Sequence, residues 1–241
     1  MAQSTFYADA FQFIDGVDQD FAPAWALDIG TAYLGGSKSL VRRGLLGFAV
    51  QGPAAEGRAL TAGDELMSAT LLLQTTSIIG AASWAARVER NVRADWDVHT
   101  ADWNRYRTGG AWTSPGGDVG APPDDVTFTS PAGLGAFEVP GLEAFVADAV
   151  ALRSGRVLLR IKADDEAPPA SAVASFAGLP DGALRPRLRV TYVAAEPGDI
   201  SRDRAHNLRG GRAAEARAAD AAAGAAMPAR GAGAAPPARG G

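Results

Sequence analysis

Arg42-Arg43-Gly44-Leu45-Leu46-Gly47-Phe48 and, far along the chain, Arg185-Pro186-Arg187-Leu188-Arg189-Val190-Thr191-Tyr192 are the stretches whose reading decides the fold. Both read as strands, and Asp102-Trp103-Asn104 between them reads as a loop anchored by an indole. Together they predict an all-β chain, an antiparallel β-sandwich rather than an enzyme scaffold.

Other strand candidates lie around these two. Residues 4–14 (STFYADAFQFI) loosely alternate as one half-buried strand, ended by an acidic loop from Asp15 to Asp20. Residues 24–33 alternate with Trp25, Leu27 and Ile29 on one face, and Gly35-Gly36-Ser37 turns the chain. Residues 42–50, 65–77, 84–91, 126–129, 134–139, 156–162, 172–176 and 186–193 complete a set of about ten short strands, the spacing of a sandwich or jelly roll. A Gly/Pro/Ala stretch over 52–63 interrupts the ladder. One helix is predicted at about 140–154, where Leu142, Phe145, Val146, Ala149 and Leu152 share a face and Gly155 stands at the C-terminal end.

The 241 residues include no cysteine, which rules out disulfides, thiolate metal sites and a cysteine nucleophile. Hydrophobic residues make up 47%, yet much of that is alanine and aromatics are only 7%, so a modest set of large side chains must supply the core. A formal charge of −4 offers no basic field for nucleic acid. Asp9, Asp15, Asp18 and Asp20 precede the first cation, Lys38, unlike a secretory leader, and no apolar run is long enough for a membrane span. The expectation is a soluble product made in the cytoplasm.

Two segments do not fit a plain sandwich. Residues 92–125 break the strand pattern and hold Trp96, Trp103, Tyr106 and Trp112; a loop this long inside a domain is functional or is pinned by its own large side chains. After Ala195 the composition turns to Ala, Gly, Arg and Pro. The expected division is therefore a sandwich over 1–195 and a low-complexity extension over 196–241.

The ordered patches of the first segment resemble the DNRLRE domain family, across most of residues 4–193. Arg43-Gly44-Leu45-Leu46-Gly47-Phe48 is similar to that family's R-x-L-L-x-F strand, and Ser68-Ala69-Thr70-Leu71-Leu72-Leu73 to its S-A-T-L-x-L strand. Asp102-Trp103-Asn104 resembles T-W-N, and Trp112-Thr113-Ser114-Pro115-Gly116-Gly117-Asp118 resembles the W-x-x-P-G-G-D loop. The resemblance implies a jelly-roll β-sandwich related to carbohydrate-binding modules, non-catalytic and typical of secreted, surface-attached or virion proteins. Gly47 stands where the family tends to carry a charge, and the extension has no family counterpart.

Candidate sites follow from residue type. Trp96, Trp103, Tyr106 and Trp112 form either a stacking platform for sugar rings or an anchor for the loop. Asp15, Asp18 and Asp20 are the best of several acidic groups for a structural calcium ion, although none has EF-hand spacing. No catalytic residues are assigned, because His99 and His206 lie in no recognised motif; a carboxylate pair for glycan hydrolysis is the enzymatic alternative. In the extension, Arg202, Arg204, Arg209, Arg212 and Arg217 are candidate anchors to a partner. The leading expectation is a bacteriophage virion component, a capsid decoration or tail accessory subunit that contacts other virion proteins and further copies of itself. The rival is a carbohydrate-binding module or adhesin that meets a host-surface glycan, with neither membrane nor nucleic acid as partner.

Overall fold

The computed structural model describes residues 1–16, 26–33, 39–80, 83–93, 95–97, 100–120 and 125–195. The extension over 196–241, with its five candidate arginines, lies outside the described residues, as do Asp18, Asp20, Trp25 and both histidines. In chain order the strands are β1 (Ala2–Tyr7), β2 (Ala10–Asp15), β3 (Ala26–Tyr33), β4 (Ser39–Ala49), β5 (Glu65–Gly80), β6 (Ala85–Arg90), β7 (Arg105–Arg107), β8 (Gly110–Ala111), β9 (Asp125–Thr129) and β10 (Gly135–Pro140). The helix α1 (Glu143–Leu152) follows, then β11 (Arg156–Ala163), β12 (Ala172–Ala177) and β13 (Arg187–Val193). The protein is a mostly β structure with one short α-helix, a large curled antiparallel sheet that forms a β-sandwich.

The curl comes from two long strands that change partners along their length. β4 pairs β3 through Ser39–Arg42, β2 through Arg42–Gly47 and β11 through Gly44–Ala49. β5 pairs β13 over Glu65–Leu72, β10 over Thr70–Thr75 and β12 over Thr75–Gly80. One layer thus runs β2, β4, β11, β6, β9 and the other β1, β13, β5, β10, while the β3–β12 pair joins the start of β4 to the end of β5. At that corner Gly30 has φ +123°, and a Cβ there would stand 1.9 Å from the Ala172 carbonyl oxygen.

Residues 4–14, expected as one strand, are two. The chain crosses between layers at Ala8 and Asp9, whose N–H groups donate to the carbonyls of Pro186 and Gly47, so β1 pairs β13 while β2 pairs β4. The aromatic run on either side hid the crossing, because both halves bury phenylalanine: Phe6 and Phe11 are each 1% exposed. With Phe48, Phe176 and Tyr192 they are the largest fully buried side chains of the core, each burial contributing roughly 1.5–3 kcal/mol. The Tyr192 hydroxyl lies 3.2 Å from Ser4 Oγ, which itself donates to the Arg58 carbonyl, so this buried polar end is satisfied.

α1 closes the end of the ladder that Pro140 terminates. Leu142 N–H donates to the Ala69 carbonyl and Glu143 Oε1 accepts the Ala69 N–H, so both backbone groups of Ala69 find partners in the helix start. Leu142, Phe145, Val146 and Ala149 are buried as their spacing predicts, but Leu152 is 80% exposed. The helix ends there, since Ser154 and Gly155 both take positive φ and Gly155 N–H donates back to the Ala149 carbonyl.

The β3–β12 corner leaves no room for a side chain at residue 30. Gly30→Ala is expected to lower the unfolding free energy by at least about 2 kcal/mol, read by chemical denaturation, whereas Gly133→Ala, in open space, changes it little.

Candidate functional site

The tryptophan-rich excursion leaves β6 and returns to the same place. Asn91 pairs with Val119, Val92 N–H donates to the Asp118 carbonyl, and Gly120 N–H donates to the Arg90 carbonyl. Within the excursion, Asp102 is buried and organises a turn. Its Oδ1 accepts the N–H groups of Asn104 and Arg105, at 2.8 and 2.6 Å, and its Oδ2 accepts Arg105 Nε–H. That turn feeds the β7–β8 hairpin.

The two motif patches of this region bind each other. Trp112 donates its indole N–H to the Asp102 carbonyl at 2.8 Å and its backbone N–H to the Asn104 carbonyl, while Gly116 N–H donates to the Trp103 carbonyl at 2.6 Å. Tyr106 and Trp112 meet at 5.6 Å between ring centroids, tilted by 57°. They pack with Ile14, Leu45 and Ala101, and the half-buried Trp96 and Trp103 lie against that cluster. The structure therefore brings the four predicted aromatics together as a packed group rather than an open row of rings. Tyr106 is 8% and Trp112 5% exposed, Trp103 is covered by the Arg43 guanidinium at 4.4 Å, and Tyr106 is covered by that of Arg93, also at 4.4 Å.

Two arginines from the sheet hold the Pro115-Gly116-Gly117 backbone from below. Arg43, on β4, donates Nη1–H to the Gly116 carbonyl at 3.0 Å and pairs in a fork with Glu166, Nε to Oε1 at 2.7 Å and Nη2 to Oε2 at 2.8 Å. Arg160, on β11, donates Nη1–H to the carbonyls of Gly116 and Gly117, at 3.1 and 2.6 Å, and pairs with Glu89 through Nε and Nη2. The glycines are required, since a Cβ on Gly116 would stand 2.0 Å from Arg43 Nη1 and its φ is +86°. Asp118 seals the rim, accepting the Ser114 N–H at 2.9 Å and Arg93 Nε–H at 3.0 Å.

The electrostatics follow from this pairing. Burial pushes the Arg160 guanidinium below its ordinary value, with Glu89 opposing. Burial alone would raise the Glu166 carboxyl, but the Arg43 fork and nearby cations outweigh it and hold it below the usual carboxylate range. Asp118 is likewise held low: burial opposes, and the Ser114 and Thr113 N–H groups and Arg93 win. An open groove of about 700 Å³ lies beside the loop, lined by Arg43, Arg93, Thr113, Asp118 and Arg160 among others.

Other acidic candidates are placed as follows. Asp15 is 3% exposed at the end of β2. Asp125 and Asp164 flank Arg87 and pair with it, and Asp165 Oδ1 accepts the Ala167 N–H. Among the described residues no three acidic or histidine side chains gather as a metal site. The residue that sequence reading missed is Arg160. Its signal was a cation in the apolar run Val157-Leu158-Leu159-Arg160-Ile161, where a buried charge requires partners.

No family model matches the chain, and no curated protein matches it either.

Arg160→Ala strands Glu89 and two buried carbonyls, and is expected to cost about 3–5 kcal/mol in denaturation experiments. The loop carboxylates also set an acid limit. Because Glu166 and Asp118 are held low when folded, their contribution is complete above the unfolded carboxylate range near pH 4 and is lost as pH falls through the lower folded values. Melting temperature is expected to fall between about pH 5 and pH 2, and Glu166→Gln should make that fall shallower.

Proposed function

We propose that this chain is a non-catalytic structural protein of assembly and adhesion, a bacteriophage virion component of the capsid-decoration or tail-accessory kind. In this reading the sandwich faces outward and the extension over 196–241 holds neighbouring subunits. The observation that carries the non-catalytic part is the commitment of the charged groups in the central loop. Arg43, Arg160, Arg93, Glu89, Glu166 and Asp118 bind one another or the loop backbone, so their hydrogen-bonding capacity goes into shape. Catalytic groups are instead aimed at a reacting atom. The rigid surface that results suits recognition by buried area and fit.

The ordered patches that resemble the DNRLRE family support a module of the kind that works outside cells. The extension's composition supports anchoring: seven arginines stand among alanine, glycine and proline, with little apolar surface to fold upon by itself. Its point of departure is fixed, since Ala195 N–H donates to Asp64 Oδ1 at 3.2 Å.

Truncation after Ala195 tests the reading. The shortened chain is expected to keep its melting temperature within a few degrees yet fail to co-sediment with particles from a lysate that incorporates the full chain. Incorporation of the truncated chain at full level sinks the anchoring role.

A further inference from the structure

The outer face of the β1-β13-β5-β10 layer carries a second polar site, apart from the central loop. Alternation along β13 sends Leu188, Val190 and Tyr192 into the core and turns Arg187 and Arg189 outward. The strand register sets Tyr7, Arg187, Leu72 and Glu138 in one row across the four strands, with Thr5, Arg189 and Thr70 in the next. All of these residues but Tyr7 and Thr70 line a cleft of about 210 Å³, to which Gln3, Gln74 and Arg185 also contribute.

The arginines here are not spent as those beneath the loop are. Arg189 pairs with Glu138 at 2.9 Å, but Glu138 is exposed and Arg189 only half-buried, so the pair is weak. Arg187 has no ion pair or side-chain hydrogen bond among the described residues. Arg185 lies with its guanidinium 3.9 Å from the centroid of the Tyr7 ring, and its buried Nε has no partner among the described residues. Two uncompensated guanidinium groups over a polar cleft are arranged for an oxyanion.

We propose that this cleft binds the carboxylate of an acidic glycan, with Arg187 and Arg185 on the carboxylate and Gln3 and Gln74 on the neighbouring hydroxyls. The rim selects against a polyphosphate or nucleic acid. Glu56 and Glu138 both line the cleft, and the chain carries −4 overall, so a ligand charged at every unit meets repulsion on either side. A sugar acid brings one carboxylate flanked by neutral hydroxyl groups, from which side-chain amide oxygens accept hydrogen bonds. This assignment gives the adhesive role a chemical class of target and does not depend on the virion assignment.

The test uses the full chain and probe pairs that differ in their charge: galacturonate against its methyl ester, and sialyllactose against lactose, by isothermal titration calorimetry. At least one acidic probe is expected to bind while its neutral partner does not. Arg187→Ala should weaken that binding about tenfold or more. Glu138→Gln, which frees Arg189 and removes a repulsive carboxylate, should tighten it about twofold to fivefold, a gain that a folding defect does not produce. The proposal is overturned if neither acidic probe binds at millimolar concentration, if the neutral partners bind as well, or if Arg187→Ala binds unchanged. Incorporation of Arg187→Ala into particles should match that of the unaltered chain, so failure of this site and failure of the assembly role read out separately.

Discussion

The hold of Arg160 and Arg43 on the carbonyls of Gly116 and Gly117 is the interaction on which the character of this molecule depends. Without it, an excursion of nearly thirty residues would rest on its paired base, the Gln12 bond to the Ala101 carbonyl and the packing of its aromatics on Ile14 and Leu45. With it, the excursion becomes a third packed element whose Tyr106 and Trp112 share a small core with Ile14 of β2 and Leu45 of β4. Arg160 is placed in an apolar strand, where an unpaired cation would be costly, so its bonds to Glu89 and to the loop are a condition of the sandwich itself. Loop and sheet therefore stabilise each other. Arg43 adds a stacking contact on Trp103, which links the loop's indole to the same clamp.

Much of this was legible in the residues. The strands at Arg156–Ala163, Ala172–Ala177 and Arg187–Val193 fall within a residue or two of where alternation and turn chemistry predict them, and α1 lies inside its expected bounds. The reading fails where a local pattern is silent about partners. Nothing in the alternation of residues 4–14 distinguishes one strand from two strands in different layers, because the crossing at Ala8 is set by its bond to Pro186. Leu152 obeys the helical period, yet the helix ends beneath it and leaves the side chain in solvent.

The central site was half legible for a similar reason. Four aromatics in an irregular segment announce a cluster, but whether their faces are open or covered depends on arginines distant in the chain. Arg43 precedes Trp103 by sixty residues, and the acidic run Asp164-Asp165-Glu166 looks like solvated charge until Glu166 is found in the fork with Arg43. Pairings of that range leave no periodic trace. What did show was composition: a proline and two glycines beside an aspartate mark backbone that must be held from outside, and arginine is the side chain that can donate to two carbonyls at once.

The partner exchange of β4 and β5 also governs the order in which the chain can fold. β1 pairs with β13, so residue 2 must wait for residue 192, and β5 has no complete set of neighbours until β10, β12 and β13 have all been made. Most native contacts join distant parts of the chain, and loop-closure entropy must be overcome before they repay it. The growing chain thus carries the apolar edges of β4 and β5 unpaired through most of its synthesis, a period of exposure that belongs to the topology and that no single side chain removes.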